Sequence, residues 1–122
     1  MNKESILKEK AFSFGLMVMT IIRSLKQKTK QSQLSNQLLR SGTAVGALIS
    51  EAEFAQSKAD FVNKMYIALK EANESDYWLN LFYQSGIIDT DSFQSANKLV
   101  AEIIAMLVAT IRTAKRNGLL ER

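Results

Sequence analysis

The sequence predicts an all-α fold: four long helices in an antiparallel up-down-up-down bundle that oligomerises through helix faces. Three observations predict it. Proline is absent from 122 residues, where average usage gives about six. Apolar residues recur at three- and four-residue spacing in four blocks divided by short polar breaks. Two of those blocks are apolar on more sides than a lone bundle can cover.

The first helix is expected over residues 5–28, with Phe14, Met17, Val18, Ile21, Ile22 and Leu25 on its core face. Lys26-Gln27-Lys28-Thr29-Lys30-Gln31 then loses all apolar character and marks a turn. Its lysines suit the negative end of a helix dipole. The second helix is expected over residues 32–54, starting at Ser32 as N-cap, with Leu34, Leu38, Val45, Leu48, Ile49 and Ala52 inward. Gln56-Ser57 breaks the pattern, and Ser57 with Asp60 resembles a capping box for a third helix over residues 58–85. Phe61, Met65, Ala68, Leu69, Ala72, Leu79 and Phe82 carry its period. Gly86 is a natural C-cap, and Ile87 and Ile88 are apolar loop residues that fold back on the bundle end. The fourth helix begins at Asp89 or Thr90 and runs to about residue 116, where Asn117-Gly118 ends it. The whole of residues 1–122 reads as one domain, and the short loops make successive helices antiparallel neighbours.

That register places Arg40 level with Glu71 and predicts an ion pair or shared hydrogen-bond network between them. It also places Gly15 level with Val45 and Gly46. Glycine inside a helix costs about 1 kcal/mol against alanine. Gly15, Gly42 and Gly46, with Ala44 and Ala47, are therefore expected to mark close backbone approach.

The surplus of apolar surface lies on the first and fourth helices. Leu99, Val100, Ala101, Ile103, Ile104, Ala105, Met106, Leu107, Val108, Ala109 and Ile111 cover nearly every direction of the fourth. Such a helix needs a second partner, which a closed symmetric homo-oligomer supplies without a sticky end. Leu16, Met19, Val100, Met106 and Val108 are the interface candidates off the expected core stripe.

Histidine and cysteine are both absent. The commonest general base, the commonest transition-metal ligand and thiol chemistry go with them. No Gly-x-Ser-x-Gly elbow, phosphate loop or dinucleotide fingerprint occurs. The expectation is a protein with no catalytic residue, no metal, no cofactor and no small-molecule substrate. Residues 1–10 are charged throughout, and the apolar runs at 11–22 and 99–111 fall short of the roughly twenty residues of a membrane span. Both read as buried helix in a cytoplasmic protein with no membrane partner.

The net charge of +4 is mildly basic. Lys26, Lys28 and Lys30 mark one end of the bundle. Lys3, Lys8, Lys10, Lys58, Lys64, Arg112, Lys115 and Arg116 map to the other, diluted by Glu4, Glu9, Glu51, Glu53 and Asp60. Repeated around an oligomer, this second cluster suits RNA or DNA phosphates. Tyr66, Tyr77, Trp78 and Tyr83 all fall on the third helix, where they either stack on bases or fill core and interface.

The run Gln37-Leu38-Leu39-Arg40-Ser41-Gly42-Thr43-Ala44-Val45-Gly46-Ala47, then Ile49 and Glu51-Ala52, resembles a family of bacterial four-helix-bundle proteins. These are encoded in intervening sequences of large-subunit (23S) ribosomal RNA genes. Ser57-Lys58-Ala59-Asp60-Phe61, Ile67-Ala68-Leu69-Lys70-Glu71-Ala72 and Tyr77-Trp78-Leu79 carry the same resemblance. It covers nearly the whole chain and is strongest over residues 37–88. One departure stands out: the family often has Asn where this chain has Leu48. The resemblance implies an antiparallel bundle assembling as a homopentamer, without catalytic activity and of unsettled cellular role. A related branch, the accessory protein of diversity-generating retroelements, binds nucleic acid and a reverse transcriptase through a basic surface. The expectation is a non-catalytic oligomeric protein that binds RNA or a nucleic-acid-processing partner through basic helix ends. A protein-binding adaptor with no nucleic-acid role is the alternative.

Overall fold

The computed structural model of the chain describes residues 2–28 and 32–120. It contains α1 (Lys3–Lys28), α2 (Ser32–Ala52), α3 (Lys58–Gln84) and α4 (Thr90–Leu120), with no strand among the described residues. The expected turn at 29–31, and the side chains of Lys26, Lys28 and Ser32, lie outside what is described.

Helix ends follow local chemistry. Asn2, not a later serine, opens α1: its Oδ1 accepts from the Ser5 N–H at 2.8 Å. At α3 the Asp60 N–H donates to Ser57 Oγ at 3.0 Å, and the Gln56 N–H donates to Asp60 Oδ2 at 3.1 Å. Gly86 takes φ +82°, the left-handed conformation that closes α3. Asp89 caps α4, accepting the Ser92 N–H at 2.7 Å. Three ends differ from expectation. α1 starts at Lys3, two residues before the expected start. α2 stops at Ala52, short of Phe54, and α4 runs through Asn117-Gly118 to Leu120. A single glycine costs a helix only about 1 kcal/mol, and no proline follows to stop it.

Each helix packs against two others: α1 on α2, α2 on α3, α3 on α4 and α4 on α1. Among the described residues neither diagonal pair brings its backbones within 8 Å, Cα to Cα, so α1 lies across from α3. The seam between α1 and α4 is the thinnest. Inward residues form one cluster, including Phe14 and Val18 of α1, Leu38 and Val45 of α2, Leu79 and Phe82 of α3, and Ile103 and Leu107 of α4. Ile88 is buried against the bundle end, as the α3–α4 loop was expected to allow.

The three helix-interior glycines of α1 and α2 behave differently. A Cβ on Gly42 would lie 2.8 Å from Val18 Cγ2, and one on Gly46 would lie 3.4 Å from the Ala11 carbonyl oxygen. Both mark close approach of α1 and α2. Gly15 does not: nothing lies within 4 Å of a Cβ placed there. The expected close approach at Gly15 is therefore corrected. Its side-chain direction leaves the α1–α2 contact and points to open space. Gly42→Ala is expected to destabilise by about 1–3 kcal/mol through overpacking, against the helix propensity of alanine. An unchanged urea midpoint would show that Val18 yields at no cost.

Arg40 sits at the junction of α2 and α3. Its Nη1 donates to Glu71 Oε2 at 2.9 Å, and its Nη2 donates to Glu74 Oε2. The Trp78 indole N–H also donates to Glu74, at 3.0 Å. Behind them, the buried Ser41 and Ser75 hydroxyls lie 2.9 Å apart, and Ser75 Oγ lies 2.9 Å from the Glu71 carbonyl oxygen. One proton from each hydroxyl satisfies this chain: Ser41 donates to Ser75, and Ser75 to the carbonyl. The network pins α2 against α3.

The Trp78 N–H first, and the Arg40 guanidinium second, hold the Glu74 carboxyl below its ordinary value. A depressed carboxylate pKa adds stability that is complete above the unfolded value of 4.5 and is lost as pH falls through the folded value. Urea midpoints measured from pH 7 down to pH 3 should therefore fall below about pH 4.5. Glu74→Gln, which keeps an acceptor for Trp78, should flatten part of that fall. Identical profiles for the two proteins would refute the role given to Glu74.

Candidate nucleic-acid interface

The expected cationic cluster divides into two groups. Lys8 Nζ lies 2.6 Å from Glu53 Oε2, Lys10 Nζ lies 2.6 Å from Glu102 Oε2, and Lys64 Nζ lies 3.8 Å from Asp60 Oδ1. These three cations are neutralised within the chain, and Lys10 holds the Glu102 carboxyl below its ordinary value. The first two link α1 to the residues just past α2 and to α4, and the third lies within α3, so none is left to offer its full charge to a ligand. Lys8 and Lys10 reach a carboxylate on another element, and Lys64 reaches one a turn earlier on its own helix.

Arg112, Lys115 and Arg116 form the second group. Three- and four-residue spacing puts them on one face of α4. Arg112 and Arg116 are exposed and make no ion pair with any described residue. Lys115 Nζ donates to the Tyr66 hydroxyl at 2.7 Å and stands 4.8 Å from the centre of that ring. Tyr66 itself remains 44% exposed. From residue 103 to 117, α4 carries no carboxylate, and α3 carries none from 61 to 70. The charged residues of these two stretches are all cationic, and the Tyr66 ring stands among them. Lys3 is exposed on the adjoining start of α1.

A groove of about 720 Å³ borders the same end of α4. Met106, Ala109 and Thr113 line it, with Phe61, Lys3, Glu4 and Lys58 along its sides. The arrangement can hold a phosphate backbone by charge while an aromatic face or an apolar groove takes a flat base. Among the described residues no group of three or more carboxylates converges as a metal site would require.

The other aromatics of α3 are spent differently. Trp78 is tied to Glu74, and Tyr83 stacks on Phe93 with ring centres 4.2 Å apart. Tyr77 is exposed but edges against Trp78, away from the cations of α4. Of the four, Tyr66 alone joins the basic face, because only it stands beside Lys115.

Among the expected interface residues, Leu16 and Met19 are 53% and 48% exposed on α1. Met106 lines the open groove, and Val108 is half-buried. Val100 is corrected: it is 0% exposed within the single chain. The core stripe of α4 runs Ala96, Val100, Ile103, Leu107, Ile111, and Val100 belongs to it. With apolar residues on every side, the sequence of α4 carries no polar marker to fix which direction is inward. α4 is also long and apolar enough to cross a membrane by length and composition, contrary to the expectation from its 99–111 run. Only 28% of its apolar window is buried in the chain, so apolar surface does remain outward.

A model of the family described as 23S rRNA-intervening sequence protein matches residues 3–109. The chain belongs to the 23S rRNA-intervening sequence protein family. It is also similar to a solved structure from Bacteroides thetaiotaomicron VPI-5482, described as a protein of unknown function from the S23 ribosomal protein family. The two are 42% identical, the match covers 91% of this chain and 99% of that one, and the TM-score is 0.85. Among curated proteins no match is found.

Proposed function

We propose that this family member is a non-catalytic, homo-oligomeric four-helix bundle that binds RNA, or a partner that processes nucleic acid, through the basic end of α4. The helices run up-down-up-down, and copies join through helix faces into a closed ring. Pentameric order is the state that the resemblance implies. Contacts such as Lys8 at the start of α1 with Glu53 just past the end of α2 support the alternation. The outward apolar residues of α1 support the joining of copies.

One observation carries the nucleic-acid reading: Arg112, Lys115 and Arg116 share one face of α4 with Tyr66, in a stretch without carboxylates. In a ring that face repeats, and weak phosphate contacts add. A mobility-shift titration with single-stranded RNA and DNA at 50 and 200 mM salt tests it. Binding should be present at the lower salt and fall steeply at the higher. The absence of any shift at low salt would remove the reading.

A second reading has its own support. Ile67, Tyr77 and Leu81 are exposed on the outer face of α3 and suit a protein partner. An adaptor of that kind would keep its partner after nuclease treatment and would bind no RNA.

A further inference from the structure

Tyr66 and Lys115 meet across the seam between α3 and α4, and the seam carries a further cation. Residue numbers rise along α3 as they fall along α4: Tyr83 stands beside Phe93 near one end of the pair, and Tyr66 beside Lys115 near the other. One turn along α3 from Tyr66 comes Lys70, and one turn back along α4 from Lys115 comes Arg112. Those two steps run the same way along the bundle, so Lys70 is level with Arg112. Both are exposed. Lys70 thereby joins the cations of α4, though the expected cluster omits it. The carboxylates that follow it on α3, Glu71 and Glu74, are engaged by Arg40 from α2.

The Lys115 ammonium is 2.7 Å from the Tyr66 hydroxyl and 4.8 Å from the ring centre. Together these distances put it off the hydroxyl end of the ring, not above the flat face. It orients the ring without covering a side chain that is 44% exposed. An ammonium has three N–H donors, and the hydroxyl takes one. The others remain for an anion. We infer that Tyr66 is a stacking platform for one unpaired base, with Lys115, Arg112 and Lys70 on the phosphates beside it, so that this face distinguishes single strands from duplexes. The inference rests on the nucleic-acid reading above and names the class of strand. A phosphate and its base are joined through one sugar. A phosphate at the Lys115 ammonium therefore leaves a base within reach of the ring that the same ammonium holds. In a duplex each base face is covered by its neighbours, and only the backbone is left for these cations. Every base has a flat face, so the discrimination is between unpaired and paired, not between sequences.

Three ligands of equal length test it: a single-stranded RNA, that RNA annealed to its complement, and a strand with the sugar-phosphate backbone but no bases. Wild-type protein should bind the base-bearing strand roughly tenfold more tightly than the base-free one. Tyr66→Leu, apolar but without a π-face, should lose roughly tenfold on the single-stranded RNA and no more than about twofold on the other two. Tyr66→Phe keeps the ring and should hold the single-strand affinity within a fewfold. Lys70→Gln should weaken all three ligands alike, as the loss of a phosphate contact does. Equal wild-type affinity for strands with and without bases would overturn the platform without recourse to any variant, so a folding defect in Tyr66→Leu cannot hide the answer. Losses of one size on all three ligands would reduce Tyr66 to a prop for Lys115. A Tyr66→Phe protein as weak as Tyr66→Leu would assign the effect to the hydroxyl. Either result ends the stacking role, and unchanged binding by Lys70→Gln would remove Lys70 from its place beside the ring. A wild-type protein that binds none of the three would instead remove the nucleic-acid reading beneath it.

Discussion

Replacing Arg112, Lys115 and Arg116 together by glutamine should lower affinity for single-stranded RNA roughly a hundredfold at low salt and flatten its salt dependence. The argument is one of released counterions. Each phosphate neutralised on a single strand contributes about 0.7 to the slope of log affinity against log salt, so the loss of three contacts should reduce that slope by about two. Glutamine keeps the length and helix propensity of the exposed positions, so helix content and melting temperature should hold within ordinary surface limits of about 0.5 kcal/mol. The same exchange at Lys8, Lys10 and Lys64 is the matched comparison. Those three already face Glu53, Glu102 and Asp60, and they lend little positive field to a ligand. Their removal should change affinity only a fewfold. Equal losses from the two triple variants would mean that net charge alone governs binding and that the face of α4 has no special part. No loss from the first would leave the adaptor reading in possession of the field.

That comparison also shows which parts of the site could be read from the sequence. Periodicity and the position of polar breaks set the four helices, and the loop centre of residues 55 and 56 set Arg40 level with Glu71, where the ion pair of 2.9 Å is found. Level is a coordinate along the helix axis, and spacing reports it well. Direction around the axis is harder, and each departure lies there. Spacing points Val100 outward because α4 is apolar all round, yet it belongs to the inward stripe. Spacing sets Gly15 beside Gly46, and the two do line one cleft, but the direction of Gly15 misses the contact with α2. For the expected cations, spacing leaves open the pairing, which depends on which neighbour each side chain faces. The absence of carboxylates from 103 to 117 was present in the sequence and would have separated Arg112, Lys115 and Arg116 from the rest. The Asn2 cap is also legible, since Asn directly before a helix's first turn is a strong start signal.

Direction around α1 decides the other large effect. Phe14 and Phe12 are the same residue type two positions apart, and two positions turn a helix by about 200°. Phe14 is 0% exposed and fully enclosed in the core, whereas Phe12 is 68% exposed. Phe14→Ala should cost about 3–5 kcal/mol, the transfer of the ring plus the cavity it leaves. That is a large part of the roughly 5–15 kcal/mol that holds a typical domain folded, so much of the variant should be unfolded at modest urea. Phe12→Ala should leave the stability of the isolated subunit within about 0.5 kcal/mol of wild type. Its effect should appear in a different observable. Association with other copies makes a melting temperature rise with protein concentration. If Phe12 is buried between copies, Phe12→Ala should abolish that rise while the melting temperature at high dilution stays put. Urea melts of both variants at two concentrations a hundredfold apart separate these outcomes. A Phe12→Ala protein as unstable as Phe14→Ala at the lower concentration would show that Phe12 does not face outward from α1. A Phe12→Ala protein indistinguishable from wild type at both would show that Phe12 meets only water.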